Sequence, residues 1–194
     1  MQVETHPYLA FIKEVKKSVS VPVIASINCI SPQWWLPYAE DIEDAGADGL
    51  ELNISHFPGD PGDPREIEQR YLDIVREVTG RISIPVAVKL GSHFTALEAM
   101  LESLVGAGAR ALVLFNRYYS VDIDLEKKQV VPGMTLSSPQ EMLTPLRWTG
   151  LLSGRIHGDI AATTGIHDGV GALKCIVAGA AAVRLCSVLY ARGT

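Results

Sequence analysis

Cysteine, basic charge and long apolar runs are all scarce in this sequence of 194 residues, and each scarcity closes a class of function. The three cysteines, Cys29, Cys175 and Cys186, are odd in number, widely spaced and set among apolar neighbours. That pattern predicts buried free thiols in a reducing compartment and argues against a disulfide frame or a metal site. With 17 Lys+Arg against 22 Asp+Glu and a net charge of -5, no basic excess is left to neutralise phosphates, so no nucleic acid partner is expected. No apolar run approaches the roughly 20 residues of a membrane-spanning helix, so no membrane partner is expected either. Met1 to His6 have neither the basic start nor the apolar stretch of a signal peptide, and a cytoplasmic location is the expectation. What the chain does have is hydrophobic residue, 47% against 20% charged. That composition suits one globular domain with a good core and is the reverse of a disordered segment's.

The apolar residues fall into short strands alternating with amphipathic helices. Val21 to Ile27 reads as a strand. Pro32 to Ala45 reads as a helix, with Trp35, Leu36, Ala39 and Ile42 at helical spacing and Gly46 as its stop. Ala47 to Ile54 is the next strand, followed by a loop rich in breakers from Pro58 to Pro64. Arg65 to Thr79 is a helix, Pro85 to Leu90 a strand, Thr95 to Val105 a helix and Ala109 to Asn116 a strand. The long segment Arg117 to Leu136, polar from Asp122 to Gln129, is expected to be a functional loop or a small hairpin excursion. Pro139 to Leu152 then reads as a helix, Asp159 to Thr163 as a strand, Gly169 to Val177 as a helix and Ala181 to Leu189 as the last strand.

Three phrases, GADGLEL from Gly46, GARALVL from Gly108 and GAAAVRL from Gly179, each close a helix and open a strand. They predict a recurring turn in which glycine stops the helix and alanine makes the tight contact. Near-continuous apolar strands point to a parallel sheet covered by helices. The fold class expected is α/β, a (β/α)8 TIM barrel or a piece of one. A doubly wound sheet ranks second, since no G-x-G-x-x-G follows the first strand.

In such a barrel the working residues gather at the carboxyl ends of the strands. The polar residues there are Asn28, then Asn53 with Ser55 and His56, then Lys89, Asn116, Thr163 with Thr164 and Gly165, and Ser187. Each has a plainer reading. Lys89 also fits a surface lysine whose stem lies on apolar neighbours, although its place at the rim suits an anionic ring or phosphate. Asn53 and Asn116 could simply satisfy loop backbone. His56 is either a structural loop histidine or a base suited to neutral pH. Thr164 and Gly165 are turn residues, or belong to the phosphate site that late barrel loops often form from backbone N–H groups.

Taken together, VPVIASI, GADGLELNIS, PVAVKL, GARALVLFN, LSSP and TTGIHDG with AGAAAVRLCSVLY resemble the flavin-binding barrel of the dihydroorotate dehydrogenase family, in that family's order from Val21 onward. The resemblance implies FMN across the barrel mouth. Asn53 matches the asparagine of the family's N-x-S motif beside flavin and substrate, and Lys89 the lysine near the flavin ring, where a cation stabilises the reduced flavin. Asn116 matches the asparagine ending the next strand. Ser137 and Ser138 fall on the family's Ser-Gly, Thr164 and Gly165 on its phosphate-binding Gly-Gly, and Ser187 on a small hydroxyl residue that contacts the phosphate.

Departures from the pattern bear on the substrate. The family's N-x-S-(Cys or Ser)-Pro-Asn here reads Asn53-Ile54-Ser55-His56-Phe57-Pro58, so His56 holds the base position and the substrate-binding asparagine is absent. Losing such an amide contact points to a different substrate. Arg117-Tyr118-Tyr119 replaces small residues, and Ser138 and Thr164 stand where glycine would let backbone approach the cofactor.

The expected protein is an FMN-dependent oxidoreductase of dihydroorotate dehydrogenase type. It acts on a small carboxylated or pyrimidine-like molecule, with His56 or Ser55 taking the proton and Lys89 beside the ring. A soluble electron acceptor, a homodimer and a role in pyrimidine biosynthesis complete the expectation. The alternatives are a vestigial or phosphate-binding barrel without redox activity, and a synthase or isomerase using Lys89. A full barrel needs about 250 residues. The expectation is therefore a single FMN-binding domain over 1–194, carrying strands three to eight, with a helix before Val21 and without the first two βα units and the last helix.

Overall fold

In a computed structural model, the structure describes residues 7–29, 35–56, 62–118 and 120–193, without the side chains at 29 and 35. The expectations for Met1 to His6, the start of the first helix at Pro32, the buried Cys29 thiol, Phe57 and Pro58 of the motif, and Tyr119 lie outside that description. The chain divides into two compact units at Leu112/Val113.

The first unit runs α1 (Pro7–Ser18), β1 (Ile24–Cys29), α2 (Trp35–Asp44), β2 (Gly49–Ile54), α3 (Pro64–Thr79), β3 (Val86–Leu90) and α4 (Leu97–Gly106). β1, β2 and β3 pair in parallel, with Ser26 opposite Glu51 and Glu51 opposite Ala87. Leu50, Leu52, Val86, Val88 and Leu90 are buried among the strands. Tyr71, Ile74, Val75 and Val78 form the buried face of α3. That helix starts where Asp63 accepts the Arg65 N–H at 2.8 Å and Pro64 sets the first turn.

The recurring turn has the geometry its residue types dictate. Gly46 and Gly108 sit at φ 93° and 114°, which alanine would resist. The following Ala47 and Ala109 are buried, and their N–H groups close back on Ile42 and Leu104 carbonyls at 3.4 and 3.1 Å. The third residue then opens the sheet: Asp48 N–H donates to Val23 O and Arg110 N–H to Val86 O, both at 2.8 Å. Asp48 also uses its carboxylate, accepting from Val23 N–H and from Lys16 Nζ at 2.6 Å each. Glu43 likewise ties a strand entry, accepting from the Ser83 hydroxyl, from Ser83 N–H at 2.9 Å and from Ile84 N–H at 3.2 Å just before β3.

β4 (Ala111–Leu114) lies at the division between the units. The second unit continues with β5 (Val121–Asp124), β6 (Gln129–Pro132), a 3-10 turn (Pro139–Met142), α5 (Leu143–Leu152), β7 (Asp159–Thr163), α6 (Gly169–Val177), β8 (Ala182–Arg184) and α7 (Ser187–Arg192). β5 and β6 form the antiparallel hairpin that the polar segment allowed, with Ile123 opposite Val130. β7 and β8 are parallel, and the third recurring turn joins α6 to β8: Gly179 at φ 108°, Ala180 N–H to Cys175 O at 3.0 Å, Ala181 N–H to Ile160 O at 2.8 Å. Met142, Ala162, Ile166, Cys175 and Ala180 make a buried core.

Two expectations are corrected here. The last strand is not Ala181 to Leu189: β8 ends at Arg184 and a helix occupies Ser187–Arg192. The reason is the neighbour. Arg184 pairs with Thr163, and the next two residues of that neighbour, Thr164 and Gly165, turn to φ 79° and 74°, so the ladder has no further partner. Second, Cys186 is exposed, while Cys175 is buried, with its thiol pKa raised by that burial.

Thr149 on α5 is fully buried and its hydroxyl has no hydrogen-bond partner among the described residues. Thr149→Val keeps the shape and removes the stranded group, so it is expected to raise stability by about 1 kcal/mol. Thermal unfolding would read this as a rise of about 2–4 °C in Tm; an unchanged or lower Tm would contradict it. Among the described residues, no helix is long and apolar enough to cross a membrane, and no three metal-ligating side chains gather.

Candidate functional site

Strand register in the first unit places three of the expected residues in one row. Asn28 stands opposite Asn53, and Asn53 opposite Lys89, at the carboxyl ends of β1, β2 and β3. Alternation along a strand turns these side chains to the face that Leu50, Leu52 and Ile54 leave. Asn53 Nδ2 donates to Asn28 Oδ1 at 2.6 Å, but Asn53 Oδ1 is buried and has no partner among the described residues. Such an acceptor is costly to leave unmet, so it marks a place for an added donor. Lys89 is half-buried between buried Val88 and Leu90. One row below, Glu51 is only 5% exposed and accepts from Ser26 Oγ at 2.6 Å.

Ser55 and His56 lie just beyond β2 and are grouped differently. They line a small cavity with Ile54 and with Ile67, Arg70, Tyr71 and Ile74 of α3. The His56 N–H donates to the Tyr71 hydroxyl at 3.2 Å, and Tyr71 meets Phe94 edge-on at 5.6 Å. The structure therefore gathers Asn28, Asn53 and Lys89, and sets Ser55 and His56 against α3.

A second cluster belongs to the second unit. Ser137 N–H donates to Ser187 Oγ at 2.9 Å, and the Ser137 and Ser187 hydroxyl oxygens are also 2.9 Å apart. Ser137 Oγ accepts the Gly165 N–H at 3.3 Å and lies 3.2 Å from His167 Nε2. Two hydroxyls, an imidazole and a backbone N–H thus converge and bond to one another, a chain that can end in a hydroxyl donor suited to an anion. Thr164 and Gly165 take consecutive left-handed conformations, and Thr164 Oγ1 donates to Phe115 O at 3.2 Å. A Cβ on Gly165 would collide with the backbone nitrogen of Met142, so glycine is required there.

Ser138 does a different job from Ser137. Its N–H donates to Glu141 Oε1 at 2.7 Å in a capping box that starts the 3-10 turn. Arg117 holds the other carboxylate oxygen, Nε to Glu141 Oε2 at 2.6 Å, and gives three further donors to the carbonyls of Met134, Thr135 and Leu136. Burial pushes the Glu141 carboxyl up, but the hydrogen bonds from Arg117 and Ser138 and the Arg117 charge outweigh it and hold the carboxyl below its ordinary value. Asn116 lies half-buried two residues beyond β4. Sequence reasoning passed over His167, whose signal was its place two residues after Gly165, and read Arg117 only as a departure from a small residue.

No family model matches the chain. Curated relatives do. The chain is 31% identical over 179 residues to an Aeropyrum pernix protein assigned as a dihydroorotate dehydrogenase A (fumarate), covering 90% of this chain and 58% of that one. It is 31% identical over 182 residues to the dihydroorotate dehydrogenase B (NAD(+)) catalytic subunit of a Geobacter species, covering 87% and 57%. The chain thus spans less than three-fifths of the length of these relatives. Among solved structures, DHODH of Eimeria tenella in complex with ferulenol superposes with a TM-score of 0.66 at 15% identity, over 94% of this chain and 58% of that one. FabK of Thermotoga maritima gives 0.58 at 16% identity, over 97% and 49%. These likenesses show the fold: α/β of the TIM-barrel kind, and a portion of such a barrel, as the strand–helix alternation predicts.

Proposed function

The chain is a homologue of the dihydroorotate dehydrogenases over 87–90% of its length, and on that premise we propose that it is the flavin-bearing portion of an FMN-dependent oxidoreductase. The observation that carries this reading is the convergence of Ser137, Ser187, His167 and the Gly165 N–H into one hydrogen-bonded chain, whose outer end, the Ser187 hydroxyl, can donate to a phosphate beside an imidazole. The resemblance assigns the ring end to Asn53 and Lys89 of the first unit, and each has chemistry suited to it. Asn53 has a buried acceptor that a ring N–H would meet, and Lys89 in the same row supplies a cation for a ring that becomes anionic on reduction. FMN, when bound, supplies the two-electron acceptor.

The rest falls to the chain's own side chains. By the resemblance, Asn53 would orient ring and substrate through its amide and Asn116 would contact the flavin. Thr164 and Gly165 shape the turn that presents the phosphate donors. Ser138 fixes the start of the 3-10 turn, so Ser137 holds its position beside Ser187. By the resemblance, His56 or Ser55 takes the proton lost from a small carboxylated or pyrimidine-like substrate, which would have to reach the cavity against α3 that both residues line; imidazole is well matched to that task. A soluble electron acceptor, a homodimer, a cytoplasmic location and a place in pyrimidine biosynthesis belong to the same reading.

Purified protein incubated with FMN and then desalted is expected to stay yellow, and an anaerobic reductant substrate such as dihydroorotate to bleach it. His56→Ala should slow that bleaching by at least about 100-fold while the colour remains, the usual worth of a positioned base. Protein that stays colourless would remove the flavin reading and leave the phosphate-binding barrel without redox activity. Bleaching at an unchanged rate would take the base role from His56.

A further inference from the structure

The hydroxyl cluster of the second unit contains the imidazole of His167, the side-chain type that ordinarily changes charge between about pH 5 and 8. Its Nε2 reaches Ser137 Oγ, which in turn reaches Ser187 Oγ. Counting hydrogens gives this relay two directions. A serine hydroxyl has one hydrogen and two lone pairs, and one lone pair of Ser137 is already met by the Gly165 N–H. When Nε2 carries a hydrogen, it takes the second lone pair. The Ser137 hydroxyl then donates to Ser187, which also accepts the Ser137 N–H, and the Ser187 hydroxyl hydrogen is turned outward. When Nε2 is bare, Ser137 donates to it, Ser187 donates to Ser137, and Ser187 presents only a lone pair. The first arrangement ends in a donor and welcomes an anion. The second ends in an acceptor and repels one.

We propose that His167 is a pH-dependent positioning residue for a phosphate monoester: protonated on both nitrogens, it must donate from Nε2, which turns the Ser137–Ser187 relay toward the anion, and it adds a positive charge; deprotonation withdraws the charge and frees the relay to reverse. This rests on the reading that the cluster holds the phosphate of FMN. The charged groups around the imidazole leave it as the switch. Asp168 and Lys174 line one cleft of about 320 Å³ with His167 and Gln140. Asp168 is engaged by the Gly171 N–H at 2.7 Å, and Lys174 is exposed on α6. From the 3-10 turn, Glu141 is held by Arg117 at 2.6 Å. Of these side-chain types, imidazole alone ordinarily changes charge between about pH 5 and 8. A phosphate monoester loses its second proton near about pH 6, so above that the ligand's charge is constant and the protein sets the slope.

The test is FMN binding to the whole chain, followed by flavin fluorescence from about pH 6.5 to about pH 8.5. Riboflavin, which lacks the phosphate, and inorganic phosphate as a competitor form the other arms. Wild-type protein is expected to lose about tenfold in FMN affinity across that range, the worth of one charge-assisted hydrogen bond. His167→Gln keeps a donor without the charge, and should bind FMN with no such slope; riboflavin should show none on either protein. A flat wild-type profile, a slope retained in His167→Gln, or the same slope for riboflavin would each overturn the proposal while the flavin reading stands. If FMN fails to bind but inorganic phosphate binds with the slope, the flavin reading fails and the switch remains. Binding of neither at any pH would remove both. A Tm for His167→Gln equal to wild type separates lost charge from a disturbed loop.

Discussion

Gly165→Ala is expected to cost about 3–5 kcal/mol of unfolding free energy, because a left-handed backbone and a blocked Cβ act together. Gly165 has φ 74°, and a Cβ there would run into Met142 N and sit 2.8 Å from the Glu141 carbonyl carbon. Both obstacles are backbone of the 3-10 turn, which the Ser138–Glu141 capping box and Arg117 hold in place. Neither can yield as the end of a flexible side chain would. Gly154→Ala is the matched control, since Gly154 has φ 76° but open space where its Cβ would go. It should cost only the conformational contribution, about 1–2 kcal/mol. Denaturant midpoints of the two variants measured side by side give the collision as their difference. Equal losses would mean that the turn around Met142 gives way freely.

Arg117→Ala should be the next most damaging change, at about 2–3 kcal/mol near neutral pH, since it removes four hydrogen bonds at once, one of them to a carboxylate. The side chain is 20% exposed and ties Glu141 to the carbonyls of Met134, Thr135 and Leu136, on the return from the β5–β6 hairpin. Its loss should also change the response to acid. Glu141 in the folded protein lies below its ordinary value of 4.5. A depressed carboxyl contributes stability that is present above the unfolded value and lost as pH falls through the folded one. The gap between wild type and Arg117→Ala should therefore be wide near pH 7 and narrow below about pH 4. Urea titrations at the two pH values would show this; a gap of constant size would mean that Arg117 acts through the carbonyls alone.

Much of this architecture was legible in the chain. The Gly-Ala phrases at Gly46, Gly108 and Gly179 predict a helix stop followed by a strand, and all three adopt one hydrogen-bond pattern, because only glycine takes the positive φ cheaply and only a small residue fits the buried step after it. β7 and α6 have the predicted bounds, and the long polar segment is the hairpin that was one of its two readings. Local signals failed where a neighbour decided. Leu185 to Leu189 are as apolar as a strand, yet the ladder stops when β7 turns away at Thr164.

For the candidate site, the sequence by itself determined which residue types stand at the strand ends: Asn28, Asn53 and Lys89 fall into register because parallel strands of matched length pair from matched starts. Only the tertiary structure decided what each loop residue does. Ser137 and Ser138 are neighbours in the chain, but one joins Ser187 and His167 across 50 and 30 residues while the other caps a turn three residues on. His56 follows Ser55 in a motif-like run, and both are set against α3 by Tyr71. Arg117, unreadable as more than an oddity, proves to hold the loop that carries Ser137. A hydrogen bond between distant loops depends on where the strands beneath them end, and no local pattern of residues encodes that meeting.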